Sequence, residues 1–439
     1  MRKKRQVKEA GFEAPGKKLV SRRDFMKTTG VALTAAAGSS ILPRFARAAA
    51  PRTVKMGYVT PKTGVLAAFA EPDDFVLNRI RKVIGDGVVI NGTKHPVEIL
   101  ERDAQSNDNR AAQVASEFIK ADKVDILLPA NTPDIVNPSS DQAEINGVPC
   151  ISTDAPYEAY YYGRGATKEK TFKWTYNFFW GEDDLIEVYT DMWLSLPTNK
   201  VLGALWSNSV DGNAECDIFS PVMKRKGFKI IDKGRFEFNA SDFSSQISAF
   251  KAAKAEIVQG VMPPPQFATF WAQCAQQSYK PKIVTCAKAL LFPAGVNALG
   301  EHGTNMTTEV WWSKFHPFKS SLTGESAAQL CDAWENETGK QWTPPIGFKH
   351  ALMEVAIDVL KRTKNIDSPE AILDAIKTTN LDTIVGHIQW TGDPVKNVCR
   401  TPLVGGQWVK GKKFPYDLNI VTNRLGKMIP ITAALKPLS

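Results

Sequence analysis

Val54-Lys55-Met56-Gly57-Tyr58-Val59-Thr60 reads as a strand, and the elements after it decide the architecture. A helical segment runs through Phe75, Ile80 and Val83, and residues 97–103 then alternate apolar and polar side chains as a second strand. Asn107 is a good N-cap for a helix that carries Ala111, Val114, Ala115, Phe118 and Ile119 on one face. Residues 124–128 and 150–152 read as buried strands. Strands alternating with helices in this way predict a parallel sheet covered by helices on both faces, an α/β fold.

The alternation starts again after residue 180. Helices are expected at 182–196, 221–226, 243–254 and 265–277, and strands at 200–206, 229–236, 257–262 and 282–286. Two such series in one chain suggest two lobes facing each other across a cleft. Further helices are expected at 326–337, 347–361 and 369–378, the last with Ser368 as N-cap and Pro369 at the first helical position. The remaining tail is rich in Gly and Trp and strand-like. No low-complexity linker separates the halves, as suits lobes joined by several crossings.

Ahead of this core, residues 1–48 read as a removable leader. Ser21-Arg22-Arg23-Asp24-Phe25-Met26-Lys27 places paired arginines ahead of a weakly apolar stretch at 28–42, and Ala46-Arg47-Ala48 is a small-residue cleavage signature. This is a twin-arginine export signal, and it predicts a periplasmic mature protein. The apolar stretch is shorter than the ~20 residues a spanning helix needs. The leader holds 12 of the 55 Lys+Arg and 3 of the 46 Asp+Glu, which leaves 43 of each sign in the mature chain. The formal charge of +9 therefore belongs to the leader. A neutral mature chain argues against nucleic acid or an anionic membrane as partner. Its roughly 390 residues exceed what one core usually organises, which favours two domains.

The motifs of catalysis are missing. The five histidines are scattered, with no H-E-x-x-H, G-x-S-x-G or G-x-G-x-x-G pattern. Gly11-Phe12-Glu13-Ala14-Pro15-Gly16-Lys17-Lys18 imitates a phosphate loop but lacks the final Ser or Thr and lies in the leader. The six cysteines show no C-x-x-C and no zinc-ribbon spacing, so they read as free thiols or one or two incidental bridges. No cofactor and no metal is expected. An exported cofactor enzyme is the rival class.

Several stretches resemble the branched-chain amino-acid-binding family of periplasmic receptors, the type I binding proteins of ABC importers. They are the strand and Pro61-Lys62-Thr63-Gly64 turn leading to Leu66-Ala67-Ala68-Phe69; Asp103-Ala104-Gln105; and Asp125-Ile126-Leu127-Leu128-Pro129 leading to Gly147-Val148-Pro149-Cys150-Ile151-Ser152. Near the end, Ser368-Pro369-Glu370-Ala371-Ile372-Leu373 and Leu381-Asp382-Thr383-Ile384-Val385-Gly386-His387-Ile388-Gln389-Trp390 resemble the family's closing helix and strand. The resemblance covers nearly the whole mature chain. It implies a non-enzymatic, monomeric flytrap that closes on a small solute and hands it to a membrane permease; a ligand sensor has the same sequence features. It also implies one lobe from 53–175 plus 306–385, a second from 176–305 plus 386–430, and hinges near 172–180, 299–308 and 385–390.

Carried over residue by residue, the family's binding positions fall on Phe69, on Asn131 and Thr132 in the loop after the third strand, and on Asp154 and Ala155 after the fourth. In the second lobe they fall on Asp211 and Pro263, where relatives place aromatic rings. Phe179 and Trp180 at the first hinge are candidates for the missing aromatic surface. Trp311-Trp312 is another candidate pair, though core strand is the favoured reading of it. Relatives place a glutamate near the end of Lys282-Ile283-Val284-Thr285-Cys286 to meet the ligand ammonium, whereas this chain continues Ala287-Lys288. If Lys288 faces the cleft it attracts an anion; if it faces solvent it does nothing special. The first alternative, with Trp180, suggests a carboxylate lacking an α-amine, aromatic or not; a branched-chain amino acid or amide is the family default.

Overall fold

Val54–Thr60 forms the strand expected of it and lies inside a six-stranded sheet. The computed structural model describes residues 51–438 apart from 238; the leader and its arginine pair lie outside the described residues. Val54–Thr60 pairs in parallel with Val97–Asp103, Val54 opposite Val97 and Thr60 opposite Asp103, and on its other side with Ile126–Pro129. Cys150–Thr153, Thr175–Phe178 and Val398–Cys399 continue the sheet, all parallel. Helices bury both faces, which is why Ile126–Pro129 and Cys150–Thr153 are apolar or small without alternation.

The second sheet has seven strands in the order Tyr416–Thr422, Val404–Lys410, Thr307–Val310, Ile283–Lys288, Ile257–Met262, Val201–Ser207 and Lys229–Phe236. The five strands from Thr307–Val310 to Lys229–Phe236 are parallel, and the tail adds two antiparallel strands. One helix differs from expectation. Pro221 suits a first turn and favours a helix at 221–226, yet the helix spans Val210–Arg225 with Pro221 inside, and Ser209 caps it by accepting a hydrogen bond from the Gly212 N–H.

The chain crosses between sheets at 179–181, at 311–312 and at 400–403. The first crossing overlaps the end of its expected range, 172–180. The other two correct the expected boundaries for a reason of strand pairing. Thr307 pairs with Thr285, so Thr307–Val310 belongs to the second lobe instead of opening the first. Val398–Cys399 pairs with Asn177–Phe178, so the chain stays in the first lobe well beyond residue 386. Trp312 anchors the second crossing. Its indole N–H donates to the Ile384 carbonyl at 3.0 Å, and it packs so closely on Gly347 that a Cβ there would lie 2.3 Å from the ring. All six cysteines are free thiols.

Candidate functional site

In parallel sheets, the loops at the carboxyl ends of the strands are where ligands are usually held. Here those loops carry unusual backbone. Asn131 (φ 74), Thr132 (φ 68), Asp154 (φ 62) and Lys288 (φ 64) all adopt positive φ without being glycine. Such conformations cost free energy, most of all for a β-branched residue such as Thr132, and they concentrate where geometry serves a site.

Six of the expected residues line one cavity: Phe69, Thr132, Asp154, Trp180, Asp211 and Lys288. The free space among them is narrow, about 20 Å³, little more than room for one water, so a solute enters only as the lobes part. Asn131, Ala155 and Pro263 are not among its lining residues. The Asn131 amide donates to Thr60 Oγ1 at 2.9 Å, the Ala155 carbonyl accepts from Asn177 at 3.0 Å, and Pro263 is the N-cap of the helix Pro264–Gln276. The Thr132 N–H is also committed, to the Asp154 carbonyl at 3.0 Å.

Aromatic rings form one wall. Phe179 and Trp180 lie 4.7 Å apart between centroids, Phe179 meets Trp311 edge-on at 4.9 Å, and Phe69 stacks on Trp311 at 6.1 Å. The Trp311-Trp312 pair is thus split: Trp311 faces the cavity, whereas Trp312 is core. The rest of the wall is acidic, which the sequence alone does not announce. Glu182, Glu215 and Glu309 join Asp154 and Asp211 there. Glu182 opens the helix Glu182–Leu194, which starts directly after the first crossing because Gly181 fits against Tyr157, where a Cβ would lie 2.2 Å from the ring.

Lys288 does face the cleft, but it comes with carboxylate partners. Its ammonium lies 2.6 Å from Asp211 Oδ2 in its own lobe and 3.1 Å from Asp134 Oδ2 in the other. Burial alone would lower its pKa, and the two carboxylates more than offset that, holding it above its ordinary value. Burial raises Asp211 to about 6 against the pull of Lys288. Burial raises Asp154 to about 7, opposed by Lys349. Glu182 and Glu215 are pushed well up, by burial first and then by neighbouring acids. Glu215 accepts from Gln259 at 2.7 Å and Glu309 from Tyr189 at 2.5 Å. Both oxygens of Glu182 and the indole nitrogen of Trp180 have no hydrogen-bond partner among the described residues, whereas the Thr153 hydroxyl lies near Asp154 and the Trp311 indole N–H near Glu309. No group of three or more His, Cys, Asp or Glu among the described residues is placed to hold a metal ion.

A family model described as periplasmic binding protein matches residues 53–413. Solved structures share the fold at low identity. A leucine binding protein LivK from Thermotoga maritima superposes with a TM-score of 0.69 at 17% identity, covering 84% of this chain and 99% of the other. The substrate binding protein LivJ from Streptococcus pneumoniae, in complex with isoleucine, gives 0.66 at 16%, covering 84% and 99%. A solute binding protein of an ABC transporter from Rhodopseudomonas palustris BisB5, in complex with 3,4-dihydroxy benzoic acid, gives 0.66 at 18%, covering 85% and 99%. At such identities the likeness establishes the two-lobed fold, and their ligands differ.

Proposed function

The chain belongs to the periplasmic binding protein family, and on that footing we propose that it captures a small organic solute between its lobes and delivers it to the permease of an ABC importer. The observation that carries this reading is the make-up of the cavity, whose lining residues come from both lobes and from the first and second crossings. A solute touching both lobes stabilises the closed form alone and shifts the population toward it, so closure can signal occupancy to a permease. Among the described residues no helix is long and apolar enough to cross a membrane. The paired Arg22 and Arg23 support export to the periplasm by the twin-arginine route, and replacing both by lysine should strand the precursor in the cytoplasm in a fractionation assay. Normal export of that variant would point to the general secretory route.

The carboxylate reading loses its main support, since Asp134 and Asp211 already match Lys288. The decisive experiment is binding without chemistry. One equivalent of solute should raise the melting temperature, compact the protein in small-angle scattering, and be recovered unchanged. Steady conversion of the solute to a product would replace this reading with the exported enzyme.

A further inference from the structure

Accepting that the cleft binds a solute, we propose that the solute is a small organic cation bearing several N–H groups, of the ammonium, amidinium or guanidinium class, seated on Glu182 and Asp154 against Trp180 and Trp311. Glu182 is fully buried and Asp154 nearly so; the Glu182 oxygens have no hydrogen-bond partner among the described residues, and beside Asp154 lies the neighbouring Thr153 hydroxyl alone. Buried carboxylates are costly without donors, and two such acids lining one cavity call for a ligand rich in N–H. Indole faces are good partners for a cation.

Apart from the Trp180 indole N–H, the groups that could hold an anion are already engaged. Lys288 is held by Asp211 and Asp134, and Lys349, the cation that acts on Asp154, is bonded to Asp73. At the helix start beside the cavity, the N–H groups of Glu182 and Asp183 donate to Glu158 at 2.7 and 3.1 Å, and that of Asp184 donates to Asp183 at 2.8 Å. The Thr132 N–H is committed to Asp154. A carboxylate ligand would therefore meet Glu182 and Asp154 with few donors to offset them.

Isosteric probes isolate charge from shape. Benzamidine, benzamide and benzoate form one series; acetamidine, acetamide and acetate a second; n-butylamine and leucine complete the set. Titration calorimetry and thermal shift should rank the cation first in its series, with a dissociation constant at least tenfold below that of the amide. Glu182→Gln should weaken the best cation at least tenfold while leaving the melting temperature of the free protein equal or higher, because it removes an acid that burial and its neighbours make costly to ionise. Asp154→Asn should do the same should the first variant fold poorly. An amide, carboxylate or leucine that outranks the cations overturns the cation class but leaves solute binding standing, as does binding of calcium alone. Unchanged cation affinity in both variants overturns the placement. If no probe binds, a solute retained through purification and identified by mass spectrometry decides the class. If no solute is retained and none shifts melting or compacts the protein, the solute-binding reading falls as well.

Discussion

Lys349 and Lys288 are both buried ammonium groups met by aspartates, yet one lies within a lobe and the other joins two. Lys349, on the helix Pro345–Arg362, is bonded to Asp73, which also accepts from Tyr58 at 3.0 Å and from Thr60 at 2.6 Å. Thr60 in turn accepts from Asn131. Every link of that network is in the first lobe. Lys288 divides its bonds between Asp211 of its own lobe and Asp134 of the other, and beside it stand acids with no protein donor. The same chemistry therefore serves two ends. A charge network closed within a lobe holds that lobe together, and one split across the cleft holds a conformation.

The largest effect should come from breaking the closed network. Asp73→Ala leaves Lys349 buried with its bonded partner gone and should cost about 3–5 kcal/mol in urea unfolding. A loss under about 1 kcal/mol would mean that Lys349 reaches water, and the contrast with Lys288 would fail.

Next in size is the response of the cleft acids to pH. Asp154 is held at about 7 in the folded protein against an ordinary 3.8, so between those values the folded state binds more protons than the unfolded one. Stability is then present at low pH and declines as pH rises from about 4 to 7, by up to about 4 kcal/mol for this group. Melting measured across that range should fall, and Asp154→Asn should flatten the fall. Glu158 and Glu354, also raised to about 7, keep some slope in the variant. An unchanged slope would show that Asp154 is hydrated by opening of the lobes.

The smallest effect on stability should come from Asp134→Ala. Asp211 still meets Lys288, so unfolding should lose only about 1 kcal/mol. The scattering radius of the free protein should nonetheless grow, because the ion pair across the cleft is gone. An unchanged radius would assign closure to other contacts, such as the Arg400 pairs with Asp183 and Asp184 at the first crossing.

Periodicity made much of the fold legible. Val54–Thr60, Val97–Asp103, Lys229–Phe236 and Ile257–Met262 have the expected bounds, and Asn107 and Ser368 cap helices as their types suggest. The late crossings depart from expectation because strand partnership between residues far apart in the chain leaves no local mark. The cavity was half legible. Its loop and hinge residues followed from the family resemblance, whereas the partners of Lys288 lie 154 and 77 positions away, beyond any spacing rule. Glu309 did leave a signal. It is a carboxylate within the short buried strand Thr307–Val310, directly before two tryptophans, and a charged residue in such a run is seldom there for packing. Glu182 left less of one, since acids are ordinary in the first turn of a helix.

Each lobe is assembled from separated stretches of chain, and this governs the order in which the molecule can be made. The first sheet waits for Val398–Cys399, and the second for Val404–Lys410 and Tyr416–Thr422, so neither is complete until these late strands have been made. Truncation before Tyr416 should therefore strip the outermost strand from the second sheet and leave Val404–Lys410 as its edge.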